Sequence, residues 1–176
     1  MGRPSTNPFA HPERLTRSVY AYVAYRIGPG HDAEDVTSEV FERALRYRGS
    51  YDAEKGTPTA WLTGIARRVL AERAGKQPRP LAEMPDRAAP GELERESVDR
   101  VTMRRAVASL GERDRELVAL RYGADLTAAQ IGELLEMGTN AVEVALHRAL
   151  RRLRTQLEGA PAPRVGAQLL PAADSV

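Results

Sequence analysis

The residues best suited to chemistry lie between Thr139 and Arg154. The segment Val144–Arg154 holds four arginines and His147 with no acid. Arginine presents a planar fork of donors that suits phosphate and the guanine edge. On a helix lying in a DNA major groove, Asn140 can pair with adenine and Glu143 can accept from cytosine N4, while Arg148 reaches guanine or phosphate. Arg151, Arg152 and Arg154 would chiefly neutralise phosphates and make binding fall with salt. A solvated helix whose arginines complement the dipole at its C-terminus would show the same charges. Bond-making chemistry finds no comparable support. His11, His31 and His147 are scattered, there is no cysteine and no glycine-rich phosphate loop, and Glu143 with His147 forms a lone surface pair. No catalytic residue, metal or cofactor is expected.

The elements that must position this face favour DNA over the bland alternative. Thr127-Ala-Ala-Gln130 has the form of a capping box. Ile131, Leu134 and Leu135 then give an apolar face around the small Gly132, and a tight turn is expected at Glu136-Met137-Gly138. Thr139 and Asn140 can both cap the next helix. Its apolar seam is Val142, Leu146, Ala149, Leu150, Leu153 and Leu157, which leaves Asn140, Glu143, Val144, His147, Arg148, Arg151 and Arg154 outward. A short helix, a turn and a second helix with a polar outer face form a helix-turn-helix. Glu136 stands where such turns usually carry glycine. A left-handed conformation there would cost on the order of 1 kcal/mol.

The remaining chain reads as a second helical block. Pro12–Ile27 is expected to be a helix stopped by Gly28-Pro29-Gly30. Another starts at Asp32 as N-cap, with Asp35 in its first turn and Ala33, Val36, Val40, Ala44 and Tyr47 on one face, Phe41 alongside. The polar stretch 48–56 is a loop. A third helix has Thr57 as cap and Pro58 at its first position, runs through Trp61, Leu62, Ile65, Ala66, Val69 and Leu70, and stops at Gly75. Trp61 and the tyrosines at 20, 22 and 25 read as packing residues. Pro78, Pro80, Pro85 and Pro90 mark 77–98 as a flexible proline-rich linker. Four further helices are expected at 99–110, 112–122, 127–136 and 139–157. The Ala- and Pro-rich 159–176 reads as a disordered tail.

The whole is an all-α chain of two small helical domains, 10–76 and 99–158, joined by that linker. Net charge is only +2 and aromatics are 5% of 176 residues, so neither global charge nor sheet-forming content decides the class. No apolar run is long enough for a membrane span and no signal peptide is visible, so a cytoplasmic protein is expected.

Two sets of motifs resemble one family. Gly111-Glu-Arg-Asp-Arg-Glu-Leu-Val-Ala-Leu-Arg-Tyr122, Thr127-Ala-Ala-Gln-Ile-Gly-Glu-Leu-Leu135 and Leu146-His-Arg-Ala-Leu-Arg-Arg-Leu153 are similar to domain 4 of bacterial RNA polymerase sigma factors. Asp32-Ala-Glu-Asp-Val36, Glu39-Val-Phe-Glu-Arg-Ala-Leu45, Trp61-Leu62 and Ile65-Ala-Arg67 resemble domain 2 of the extracytoplasmic-function (ECF) group of the sigma-70 family. The resemblance implies promoter-specific transcription initiation with core RNA polymerase, and names its β′ clamp helices and β flap as partners beside promoter DNA. It assigns Asp35, Glu39, Phe41 and Glu42 to core binding. Arg48, Tyr51, Arg67, Arg68, Arg73 and Lys76 would meet the −10 element and its melted strand. Thr139, Asn140, Glu143, Val144, His147, Arg148 and Arg151 would read the −35 element. It also leaves room for an anti-sigma factor as a further partner. The competing function is a polymerase-independent helix-turn-helix regulator, binding duplex DNA alone as a dimer at a palindrome.

Overall fold

The computed structural model describes residues 7–76 and 98–159, and every regular element among them is helical. The proline-rich segment, apart from Val98, and the tail beyond Gly159 lie outside the described residues.

In the N-terminal region, α1 (Pro12–Ile27) opens with proline at its first position and ends at Gly28, whose φ of 88° suits glycine. Leu15, Val19, Tyr22 and Val23 form its buried stripe. Helix α2 (His31–Arg46) buries Ala33, Val36, Thr37, Val40 and Ala44. Its start differs from expectation. The N-cap is Gly30 at φ 124°, and the first-turn acids are Asp32 and Glu34, so Asp32 complements the helix dipole rather than capping. A 3₁₀ turn (Arg48–Ser50) leads into the loop. Helix α3 (Pro58–Lys76) is capped as expected, with Thr57 Oγ1 accepting from the Ala60 amide at 3.3 Å. It runs through Gly75, because a glycine within a helix costs about 1 kcal/mol but does not forbid it.

The C-terminal region contains α4 (Val98–Ala108), α5 (Glu112–Val118), α6 (Ala128–Leu135) and α7 (Thr139–Gly159). The single helix expected over 112–122 is two elements: after Val118 the chain widens into a π turn (Ala119–Gly123). The Ala124 amide bonds back to Ala119 O, and the Leu126 amide to Leu120 O. Arg115 ties α4 to α5 by donating to the carbonyls of Ala108 and Leu110 at 2.8 and 2.7 Å. Burial lowers its guanidinium pKa.

The two regions do not keep separate cores. One apolar cluster runs from Leu15, Val19, Tyr22 and Val23 of α1, through Val36, Val40, Leu62 and Val69, to Leu117, Leu120, Leu126, Ile131 and Val142. A smaller cluster joins Ala106, Val107, Leu110 and Val118 to Ala149 and Leu153 of α7. The approach of α1 to the π turn is close enough that a Cβ on Gly123 would sit 2.8 Å from the Tyr22 Cα and amide nitrogen. Domains of this size bury limited surface alone, about 60% of what the unfolded chain exposes. Sharing one core is a direct way to bury more.

Candidate nucleic-acid interface

The helix-turn-helix is built from α6 and α7. Thr127 Oγ1 accepts from the Gln130 amide at 3.3 Å, and Gln130 Oε1 accepts from the Thr127 amide at 2.8 Å, which completes the capping box. At the other end Glu136 adopts the left-handed conformation, φ 56° and ψ 43°, and ends α6. The Met137 amide then donates to Gly132 O at 2.8 Å. A Cβ on Gly132 would lie 2.5 Å from Met137 O, so the turn requires glycine at 132 for close approach. Glu136 carries the unfavourable dihedral instead.

Helix α7 packs inward through Val142 and Leu146 in the main core and through Ala149 and Leu153 against α4 and α5, all buried, with Leu150 and Leu157 half-buried. Thr139, Asn140, Glu143, Val144, His147, Arg148 and Arg151 are all exposed. Val144 is an apolar side chain 44% exposed in the middle of this polar surface. Arg148 and Arg151 make no ion pair among the described residues. Arg152 is held by Asp114 of α5, and Arg154 by Glu158 at 3.1 Å. The structure therefore presents the seven candidate −35 residues on one uninterrupted outer face.

The candidate −10 residues lie along α3 and the loop before it, in a different condition. Tyr51 donates to Gly56 O at 3.2 Å and its ring packs at 5.4 Å on Trp61, which also meets Phe9 edge-on at 6.3 Å. Burial, then the charge of Asp52, raises the Tyr51 phenol pKa. Trp61 is half-buried against the core, and Tyr22 is wholly buried, in line with the packing roles read for them. Arg48 and Arg68 are exposed. Arg67 and Arg73 are both engaged. The Lys76 side chain lies outside the described residues.

Arg73 belongs to a network joining α2 and α3. Glu39 accepts from Arg43 Nη2 at 2.6 Å and from Arg73 Nη2 at 2.7 Å, while Arg43 also donates to both oxygens of Glu72 at 3.0 and 2.7 Å. Burial alone would raise the Glu39 pKa, but the hydrogen bonds from Arg73 and Arg43 outweigh it and hold the carboxyl below its usual value. The Arg43 guanidinium is raised, chiefly by its bond to Glu72. Of the candidate core-binding residues, Asp35 and Glu42 are exposed, Phe41 is half-buried against the core, and Glu39 doubles as a brace between helices.

Arg67 is engaged across the two regions. Its Nε donates to Glu116 Oε1 of α5 at 2.7 Å, and its Nη1 to Leu134 O of α6 at 2.9 Å. Glu116 also receives Arg26 Nη1 at 2.8 Å and the Tyr22 hydroxyl at 3.3 Å. Burial pushes the Glu116 pKa up, but Arg26 and Arg67 together bring it below the usual carboxylate value. Burial drives the Tyr22 phenol well above its ordinary value. Sequence reasoning missed Glu116 and Arg26. Arg26 stands in no motif, Glu116 lies in one without a role assigned to it, and the partners of Glu116 in Tyr22 and Arg67 are 94 and 49 residues away.

With this geometry in view, the likenesses to known proteins fall into place. The sigma-70 region 2 family model matches residues 13–79, and the sigma-70 region 4 model matches residues 106–155. The ECF RNA polymerase sigma factor ShbA of Streptomyces griseus is 35% identical over 140 residues, covering 73% of each chain. SigK of Mycobacterium ulcerans is 30% identical over 155 residues, covering 80% of each chain. BldN of Streptomyces coelicolor is 31% identical over 149 residues, which span 80% of this chain and 56% of BldN. Among solved structures, the sigma factor RpoE in complex with the anti-sigma factor NepR, from Bartonella quintana, shares the fold. Its TM-score is 0.63 at 18% identity, covering 84% of this chain and 94% of that one. The fold and paired motifs define a two-region sigma-70 protein. This chain belongs to the ECF RNA polymerase sigma factors, the initiation factors that give the polymerase its promoter specificity.

Proposed function

We propose that the chain acts in the cytoplasm as a non-catalytic subunit of RNA polymerase that grips a promoter at two places. The exposed face of α7 reads the −35 duplex through Thr139, Asn140, Glu143, Val144, His147, Arg148 and Arg151. The loop and α3, through Arg48, Tyr51, Arg67, Arg68, Arg73 and Lys76, hold the −10 strand once it is melted. A loop can receive an unstacked base while arginines hold the backbone. Asp35, Glu39, Phe41 and Glu42 dock α2 on the β′ clamp helices, and the C-terminal region meets the β flap. An anti-sigma factor, such as NepR is for RpoE, is the regulatory partner in this reading.

One observation carries it: the outward row on α7 is exposed above a capped α6 and a turn that Gly132 makes possible. Run-off transcription tests it. Core polymerase with the chain should give discrete transcripts from genomic promoters that core alone does not give. A chain that never supports initiation, yet binds a palindrome as a dimer by itself, would instead be a polymerase-independent regulator. Within the docking surface, Asp35→Lys is a cleaner probe than Glu39→Lys. Asp35 is exposed, whereas Glu39 also braces Arg43 and Arg73.

A further inference from the structure

We propose that Tyr47 is a stacking platform for an unstacked base of the melted −10 strand, with Arg46 and Arg48 holding the phosphates on either side. The inference rests on the assignment of the 48–56 loop and α3 to that strand, and it extends the strand's path onto the C-terminal end of α2.

The two tyrosines that bound the loop are in different conditions. Tyr51, which the resemblance assigns to the strand, has its ring packed on Trp61 at 5.4 Å and its hydroxyl bonded to Gly56 O. Much of it is used within the fold. Tyr47 is 55% exposed, and among the described residues its ring meets no aromatic neighbour and its hydroxyl no hydrogen-bond partner. Helical spacing placed it on the apolar face of α2 with Ala44. The helix ends at Arg46 instead, and Tyr47 leaves the helical path at φ −105° and ψ 18°. Its backbone is nonetheless fixed. The amide donates to Arg43 O at 2.9 Å, and the carbonyl accepts from both the amide and the hydroxyl of Ser50 at 2.8 Å. A free ring on a fixed mount gives up little conformational freedom when a base stacks on it.

A single exposed aromatic needs no explanation by itself. Its surroundings supply one. Along α2 the sign of charge changes, from acids at Asp35, Glu39 and Glu42 to arginines at 43, 46 and 48. Arg43 is spent on Glu39 and Glu72, whereas Arg46 and Arg48 are exposed and make no ion pair among the described residues. Tyr47 therefore stands between two uncommitted guanidinium groups, past the acids of the proposed polymerase-docking surface. Every base has a π face, so an aromatic among cations holds a single strand without reading its sequence. Duplex DNA keeps its bases stacked on one another and offers Tyr47 none. The platform takes a strand only after melting.

Strand binding by the assembled polymerase tests this. Core polymerase carrying the full chain is titrated with a fluorescein-labelled single-stranded DNA 12-mer of mixed sequence, and core alone sets the background. Tyr47→Ala should weaken the added affinity at least about 5-fold, the smaller end of what a stacked base loses on alanine substitution. Its salt dependence should stay as in wild type, and Tyr47→Phe should bind as wild type does. Arg48→Ala should instead flatten the salt slope by about 0.7, one phosphate's share on a single strand. A 12-mer carrying iodouracil should cross-link to Tyr47 on irradiation. Unchanged affinity in Tyr47→Ala, or cross-links confined to other residues, overturns the proposal. So does a Tyr47→Ala chain that loses assembly with core, which would make Tyr47 a polymerase contact. Run-off transcription judges the underlying reading separately. Normal initiation with unchanged strand affinity in Tyr47→Ala defeats only the platform, and a Tyr47 cross-link with no initiation by wild type defeats only the reading of the chain as an initiation factor.

Discussion

The two basic surfaces of this chain are made of the same residue types and stand in opposite states. On α7, Arg148 and Arg151 face solvent without an ion pair among the described residues, beside exposed Asn140, Glu143 and Val144. On α3, Arg67 and Arg73 are held by Glu116 and Glu39. Local charge density therefore does not report readiness for DNA. What decides is whether the fold supplies a carboxylate partner, and here it does so for Arg67 and Arg73 of α3 and for Arg152 and Arg154 at the far end of α7, but not for Arg148 and Arg151. The outward row on α7 is presented, while two of the arginines on α3 are engaged within the molecule.

The largest expected effect comes from breaking the presented face at its base. Gly132→Ala places a Cβ against Met137 O, a backbone atom that cannot step aside. The variant should lose about 2–4 kcal/mol of stability, together with duplex binding, in thermal melts and a −35 titration. Next is Glu116→Ala. It leaves Arg26 with only the exposed Glu112 and Arg67 with only Leu134 O, and by the cost of breaking a partly buried pair should destabilise the chain by about 2–3 kcal/mol in urea unfolding. A selective effect should follow from arginine truncation in the free protein. Arg148→Ala should weaken −35 duplex binding about 10-fold, whereas Arg67→Ala should leave it unchanged. Equal losses for both would erase the contrast between the surfaces.

Acid should act on the committed surface alone. The folded-state pKa values of Glu39 and Glu116 are depressed, so their contribution is present above the ordinary glutamate value of 4.5. That contribution is lost as pH falls from there through the depressed values. Fluorescence of the half-buried Trp61, followed from pH 6 downward, should report this loosening, and Glu39→Gln/Glu116→Gln should flatten it. The smallest effect is a gain. Glu136→Gly relieves a left-handed non-glycine residue and should add up to about 1 kcal/mol, less the entropy glycine loses on folding.

What the sequence made legible was local. Pro12 with Gly28-Pro29-Gly30 bounds α1, and Thr57-Pro58 starts α3. The Thr127–Gln130 box starts α6, and the strain at Glu136 followed from where that helix had to stop. The residues of the outward row on α7 were equally readable, because a helical period needs only neighbours within two turns. Three features left no local mark. Gly75 passes within a helix because packing overrides a modest propensity cost. The π turn at Ala119–Gly123 arises where the chain must bring Leu120 inward and let Gly123 meet the Tyr22 backbone. Glu116 reads as one more surface charge on a short helix, and only the docking of α1 and α3 makes it the shared acceptor of two arginines. Contacts of that kind depend on elements far apart in sequence, so the joint core and the state of the α3 arginines had to come from the structure.

The shared core makes the two helical regions one body in the free chain. The chain contains no cysteine, so Thr16→Cys and Thr155→Cys, on exposed positions of α1 and α7, give a clean donor–acceptor pair for energy transfer. The free protein should show a single high-efficiency population, because α1 packs on the π turn in the shared core. A low-efficiency or split population in the free chain would contradict it.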